Sequence, residues 1–156
     1  MADMTGAMFT STTDMWATPQ AFFDRLDAVH RFTLDVCAMS HNAKCVAWYG
    51  PDHPNADRRD GLAQEWAVDA NGGTIWMNPP YGRTVGLWVR KAFEESQHGV
   101  TVVCLLPART DTAWFHDWAI RGQVEFVRGR LRFGDSTNSA PFPSCVVTFY
   151  EEARRG

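Results

Sequence analysis

The stretch Asn78-Pro79-Pro80-Tyr81-Gly82 concentrates the chemistry of this sequence. It offers one carboxamide, stiff backbone carbonyls and one aromatic ring. Two consecutive prolines fix φ at two positions and remove two N–H donors. A residue before a proline is pushed toward extended geometry, so Asn78 is not expected to curl into a helix. Carbonyl oxygens held in place accept hydrogen bonds from an exocyclic amino group, and a tyrosine ring stacks on the plane that carries it. The set therefore suits a planar, amino-bearing substrate.

The elements around the stretch are those needed to hold it. Gly73-Thr74-Ile75-Trp76-Met77 is apolar and rich in strand formers, and Arg83-Thr84 opens a helical pattern. A rigid turn after a central strand is where open α/β sheets bind ligands.

The rest of the chain reads in the same way. Residues 1–14 are small and polar and are expected to form a flexible tail. Thr18 suits a helix N-cap and Pro19 the first helical position, with Phe22, Phe23, Leu26 and Val29 at helical spacing up to about His30. Phe32 to Ala38 reads as a strand that contains Asp35. A carboxylate in an apolar strand needs a partner, so Asp35 either faces a ligand near the strand's end or is held by a local hydrogen bond. Cys45 to Tyr49 reads as a second strand, and Gly50 to Arg59 as a surface loop. One helical turn is expected over Ala63 to Trp66. Val85 to Gln97 fits a helix closed by Gly99. Val100 to Leu106 is apolar almost throughout, as a strand covered on both faces must be, and Pro107 ends it. Thr112 to Arg121 reads as a helix, Val124 to Val127 as a strand, Phe133 to Pro143 as a loop and Cys145 to Tyr150 as the closing strand. Alternating strands and helices predict one α/β domain over 15–151, with a mostly parallel sheet and an antiparallel pair at one edge. A charged tail is expected over 152–156.

Composition narrows the classes. A chain of 156 residues with 45% hydrophobic and 21% charged residues is one globular domain. The net charge of −3 excludes a global positive field, so any nucleic-acid contact must be a local basic patch. Cys37, Cys45, Cys104 and Cys145 lack metal-ligand spacing, and no zinc signature is present. No signal-peptide pattern opens the sequence, and its longest apolar run is too short to span a membrane. A cytoplasmic protein without metal is expected, its oligomeric state open.

Several pieces then fall in one order: Trp16-Ala-Thr-Pro-Gln20, Leu34-Asp-Val-Cys-Ala38, Asp60-Gly-Leu62, Trp76-Met-Asn-Pro-Pro-Tyr-Gly82, Leu105-Leu-Pro-Ala-Arg109 and Gly129-Arg-Leu-Arg-Phe-Gly134. Over 16–150 the chain resembles the small phage and prophage DNA N-6-adenine-methyltransferase (Dam) family. The resemblance implies a Rossmann-like domain that transfers methyl from S-adenosylmethionine (SAM) to the exocyclic N6 of adenine in DNA, in the host cytoplasm if phage-encoded. It places Thr18 and Pro19 against the methionine part of SAM. Asp35, Cys37 and Ala38 would meet its ammonium, and Asp60 and Leu62 would flank its adenine. It makes Asn78, Pro79, Pro80 and Tyr81 catalytic, with Tyr81 also stacking on a base turned out of the duplex.

Phosphate and base contacts would fall to Arg83, Arg109, Arg128, Arg130 and Arg132. The last three alternate and in extended chain share one face. Phe133 or Phe142 could close on the base's other side or belong to the core. Asp60-Gly61 is equally a plain turn. The glycine-rich turn common in SAM enzymes is replaced after Ala38 by Met-Ser-His-Asn, and Asp52 is the nearest acid for a ribose. Two other readings stay open on the sequence. One keeps the enzyme but changes the acceptor to an RNA base, cytosine N4 or protein glutamine. The other is a degenerate, non-enzymatic module that binds nucleic acid.

Overall fold

The computed structural model describes residues 16–134 and 138–151. The expected tails, 1–14 and 152–156, lie outside the described residues.

Six strands form one sheet: β1 (Phe32–Asp35), β2 (Ala47–Trp48), β3 (Thr74–Met77), β4 (Val102–Pro107), β5 (Gln123–Phe126) and β6 (Ser144–Phe149). Their spatial order is β2-β1-β3-β4-β6-β5. The first four pair in parallel, and β6 pairs antiparallel with both β4 and β5. The closing strand therefore inserts between β4 and β5 rather than adding outside them. The sheet is mixed and mostly parallel, with an antiparallel edge.

Side-chain alternation along the strands builds two cores. Ile75, Met77, Val102, Cys104, Leu106, Cys145 and Val147 face one side. They pack there against Trp66 of α2 (Trp66–Asp69), Trp88 and Val89 of α3 (Val85–Ser96), and Phe115 of α4 (Ala113–Asp117). Trp76, Val103, Leu105 and Val146 face the other side. They pack against Phe22 and Phe23 of α1 (Gln20–His30) and against Phe133, Ala140 and Phe142 from the β5–β6 connection. All six residues of β4 are buried, as the apolar run predicts for a central strand.

Several boundaries differ from the sequence reading. Pro19, not Thr18, occupies the N-cap of α1, and no side chain caps that helix. The first strand stops at Asp35 and the second has only two residues. The helical turn near residue 63 divides into a 3-10 turn, Gly61–Ala63, and α2. The helix expected over 112–121 breaks at Trp118, whose φ and ψ of −126° and −52° leave the helical region, and resumes as a 3-10 turn, Ala119–Arg121. Pro107 is the last residue of β4 rather than its terminator. Paired with Ser144 at the strand's end, it needs no interior ladder N–H.

Candidate active site

From β1 the chain steps one way to β2 and the other way to β3, so the strand order reverses between β1 and β3. Crevices outside the C-terminal ends of strands at such a point are the ligand sites of open α/β sheets. A cavity lies there. Its floor is Asp35, Cys37 and Ala38 after β1, and Asn78, Pro79 and Pro80 after β3. Trp16, Ala17 and Thr18, which precede α1, also line it, as do Trp76 and, from the loop after β1, Met39, His41, Asn42 and Lys44.

Asp35 ends its strand facing this cavity and is only 2% exposed. Its carboxylate accepts the backbone N–H groups of Cys37 (3.2 Å) and Lys44 (2.9 Å). The local hydrogen bonding read as one possibility from the sequence is present, and the acid also lines a cavity. Burial pushes its carboxyl up to about 7, against those two hydrogen bonds and the nearby Lys44 charge. The Lys44 ammonium itself turns to Gln20 Oε1 (2.7 Å), and burial lowers it from its ordinary value against the pull of Asp35. A buried carboxylate bonded only by neutral donors is well matched to an incoming cation.

The loop that follows has no glycine, and other groups hold its shape. Asn42 accepts from Met39 N (2.8 Å), and Asp52 accepts from both the backbone N–H (2.9 Å) and hydroxyl (2.6 Å) of Ser40. Asp52 therefore braces the cavity loop and does not line the cavity. The close approach that a glycine would give is supplied from the segment just after β2: a Cβ on Gly50 would lie 1.7 Å from the Ala38 carbonyl oxygen.

Asn78 is held on both sides of its carboxamide. Its nitrogen donates to the Trp16 carbonyl and to Thr18 Oγ1 (2.9 Å), while its oxygen accepts from the Tyr81 hydroxyl (2.8 Å). The same hydroxyl also reaches Leu105 O at 3.1 Å.

Tyr81 is not the open stacking platform that the sequence led us to expect. Its ring is 1% exposed. Phe142 meets it edge-on at 5.5 Å between centroids and Phe133 at 6.2 Å, both themselves buried. Burial also pushes the phenol well above its ordinary range, so it stays a neutral donor. Trp16 touches both phenylalanines edge-on, at 5.5 and 5.2 Å, and is the aromatic side chain exposed enough to meet a ligand beside Asn78. Its place in the cavity lining is not signalled by the Trp-Ala-Thr-Pro-Gln run alone.

The remaining site expectations divide. Pro19 stays next to the cavity-lining Thr18 as the helix cap. Asp60 is exposed and caps its 3-10 turn by accepting Leu62 N (3.1 Å), while Leu62 packs on the core. Neither lines the cavity, though a Cβ on Gly61 between them would stand 2.5 Å from the Val36 carbonyl, next to the floor.

Among the arginines, Arg109 is brought to the Asn-Pro-Pro-Tyr turn. It donates to the Tyr81 carbonyl (3.2 Å) and lies over the Phe142 ring at 5.9 Å. Arg83 is exposed just after the turn. Arg128, Arg130 and Arg132 are exposed but lie beyond β5. Gly129, at φ 74°, bends the chain between the first two, so they do not share the continuous strand face that alternation implied. Arg130 donates to Ala140 O at 3.4 Å.

No group of three or more His, Cys, Asp or Glu among the described residues could hold a metal. No described helix is long and apolar enough to cross a membrane.

Sheet order, switch-point cavity and the rigid Asn-Pro-Pro-Tyr turn define a Rossmann-like methyltransferase fold. A family model described as DNA N-6-adenine-methyltransferase (Dam) matches residues 6–149, and the chain belongs to that family. It is 31% identical over 156 residues to the DNA N-6-adenine-methyltransferase of Haemophilus phage HP1, covering 94% of this chain and 84% of that protein. It is also 31% identical over 103 residues to that of Escherichia phage T1, covering 65% of this chain but 39% of the relative.

Proposed function

We propose that Asn78-Pro79-Pro80-Tyr81 directs methyl transfer from S-adenosylmethionine to N6 of adenine in DNA. As a member of its family the protein is an adenine-specific DNA methyltransferase. The residue roles and the donor are the reading offered here. One observation carries it: the oriented Asn78 carboxamide and the buried Asp35 carboxylate border one cavity.

The residues present fit the donor. Among the described residues no cationic side chain is bonded to the Asp35 carboxylate, and the donor's ammonium would supply the cation. Cys37 and Ala38 give that end of the cavity small side chains, with Ala17 and Pro19 on the segment that leads into α1. When bound, S-adenosylmethionine supplies an electrophilic sulfonium methyl.

The N6 of adenine is a weak nucleophile because its lone pair is delocalised into the ring. Asn78 Oδ1 and the Pro79 carbonyl would accept its two hydrogens, concentrate electron density on nitrogen and fix its aim. Catalysis of this kind is positioning by preorganised dipoles and needs no covalent enzyme intermediate. Pro80 holds the turn stiff. Tyr81 acts here through its hydroxyl on Asn78. The base leaves the duplex at a cost of a few kcal/mol, and a ring such as Trp16 can offset ~1–3 kcal/mol of that by stacking. Arg83, Arg109, Arg128, Arg130 and Arg132 supply phosphate contacts. The site of action is the cytoplasm of the cell that carries the DNA.

The test is incubation with methyl-labelled S-adenosylmethionine and unmethylated DNA, followed by digestion and identification of the labelled nucleoside. N6-methyladenine from the wild type supports the reading. Label in RNA, cytosine or protein, or none at all, overturns it.

A further inference from the structure

We propose that the Trp16-Ala17-Thr18 segment is a positioning element for the Asn78 carboxamide, with the Thr18 hydroxyl as its key group. This rests on the catalytic reading of Asn78 above. Thr18 stands where the sequence suggests a helix cap or a contact to the donor's methionine part. The structure gives the hydroxyl another partner. Pro19 takes the cap position, and Thr18 Oγ1, on a residue 6% exposed, accepts from Asn78 Nδ2 at 2.9 Å.

The geometry fixes which way the amide faces. A backbone carbonyl can only accept, so the group turned to Trp16 O must be the nitrogen. Thr18 Oγ1 takes the second N–H. The oxygen is thereby turned toward Tyr81, which donates one hydrogen bond to it. A carboxamide oxygen has two acceptor sites, so one remains for a substrate N–H. Losing Thr18 Oγ1 leaves one amide proton without its partner and frees the side chain to rock about χ2, which for Asn is a broad, soft torsion.

The segment is itself anchored. Gly134 N donates to Ala17 O at 2.8 Å, and Trp16 packs edge-on against Phe133 and Phe142. Thr18 is thus a fixed reference point from a part of the chain sixty residues before Asn78 in sequence. It acts through Asn78 rather than on the reacting atoms.

Thr18→Val keeps the shape and removes the hydroxyl, and Thr18→Ser keeps the hydroxyl. Each variant is assayed for donor affinity by calorimetry and for methyl transfer in single turnovers at saturating donor and DNA. The Asn78 side-chain amide is followed in parallel by 15N NMR, assigned by its loss in Asn78→Ala. In Thr18→Val, transfer is expected to fall about tenfold to a hundredfold, with donor affinity within about twofold of wild type. The Asn78 amide protons should shift and exchange faster. Thr18→Ser should restore both properties.

Three results would overturn the proposal: donor affinity falling in step with transfer, Thr18→Ser as impaired as Thr18→Val, or an unchanged Asn78 amide signal in Thr18→Val. If wild-type protein methylates no DNA, the functional reading has failed separately, and the NMR comparison still decides this one.

Discussion

β1 and β3 lie side by side and both end at the cavity, yet their last polar residues are held by different means. Asp35 is charged chemistry in a buried place. Backbone N–H groups alone hold its carboxylate, and burial raises its carboxyl to about 7. Asn78 is neutral chemistry. A carbonyl and a hydroxyl from the 16–18 segment and the Tyr81 hydroxyl from its own turn hold its carboxamide. On the reading proposed above, the first arrangement would accept a cation and respond to pH. The second keeps a dipole in one orientation and does not titrate. That reading makes binding and transfer separable at adjacent strand ends.

The sharpest way to break the β1 end is steric. Gly50→Ala puts a methyl against the Ala38 carbonyl and should destabilise the fold by about 3 kcal/mol or more. Urea unfolding measures it, and an unchanged midpoint would show that the close approach is not required.

Removing charge comes next. Asp35→Asn should weaken S-adenosylmethionine binding about tenfold or more at pH 8. In the wild type, affinity should rise with pH through about 7, as the carboxylate forms, and in the variant this rise should vanish. The stability of the unliganded protein should move the opposite way. Because the folded carboxyl is raised from 3.8 to about 7, the folded state holds a proton in that window that the unfolded chain has released. Stability present at low pH is therefore lost as pH climbs through the window. Affinity that is flat with pH in the wild type would remove Asp35 from the cation site.

Smaller effects probe the β3 end. Arg109→Ala should weaken DNA binding and lower its salt slope by about one, read from titrations at several salt concentrations. A salt slope equal to that of the wild type would restrict Arg109 to bracing Tyr81 and Phe142. Tyr81→Phe removes only the hydroxyl, and should slow transfer roughly threefold to tenfold with donor affinity unaltered. Wild-type transfer by this variant would return Tyr81 to a purely aromatic role.

Much of this was legible before the structure. The stiff turn follows directly from two prolines after a short apolar strand, and β3, β4, β6 and α3 follow from unmixed periodicity. Asp35 was flagged because an acid in an apolar strand demands a reason. What escaped lies in contacts between distant segments. Thr18 before a proline looks like a local cap, and nothing nearby announces a partner at Asn78. Tyr81 looks available until Phe133 and Phe142 arrive from the β5–β6 connection to cover it. The absent glycine-rich turn is offset by Gly50, which follows β2 and permits the close approach to Ala38. The arginine face was misread for a local reason. Gly129 stands in the run, and its left-handed φ breaks the alternation.

The most direct measurement sets the two strand ends against each other. Donor affinity by calorimetry and methyl transfer to DNA at saturating donor are taken for wild type, Asn78→Ala and Asp35→Asn in one series. The expected result is a crossed pattern. Asn78→Ala should bind S-adenosylmethionine nearly as wild type but transfer at least about a hundredfold more slowly. Asp35→Asn should bind weakly yet keep much of its transfer once saturated. Wild-type transfer by Asn78→Ala, or equal losses of binding and transfer in both variants, would contradict the division between a binding end and a transfer end.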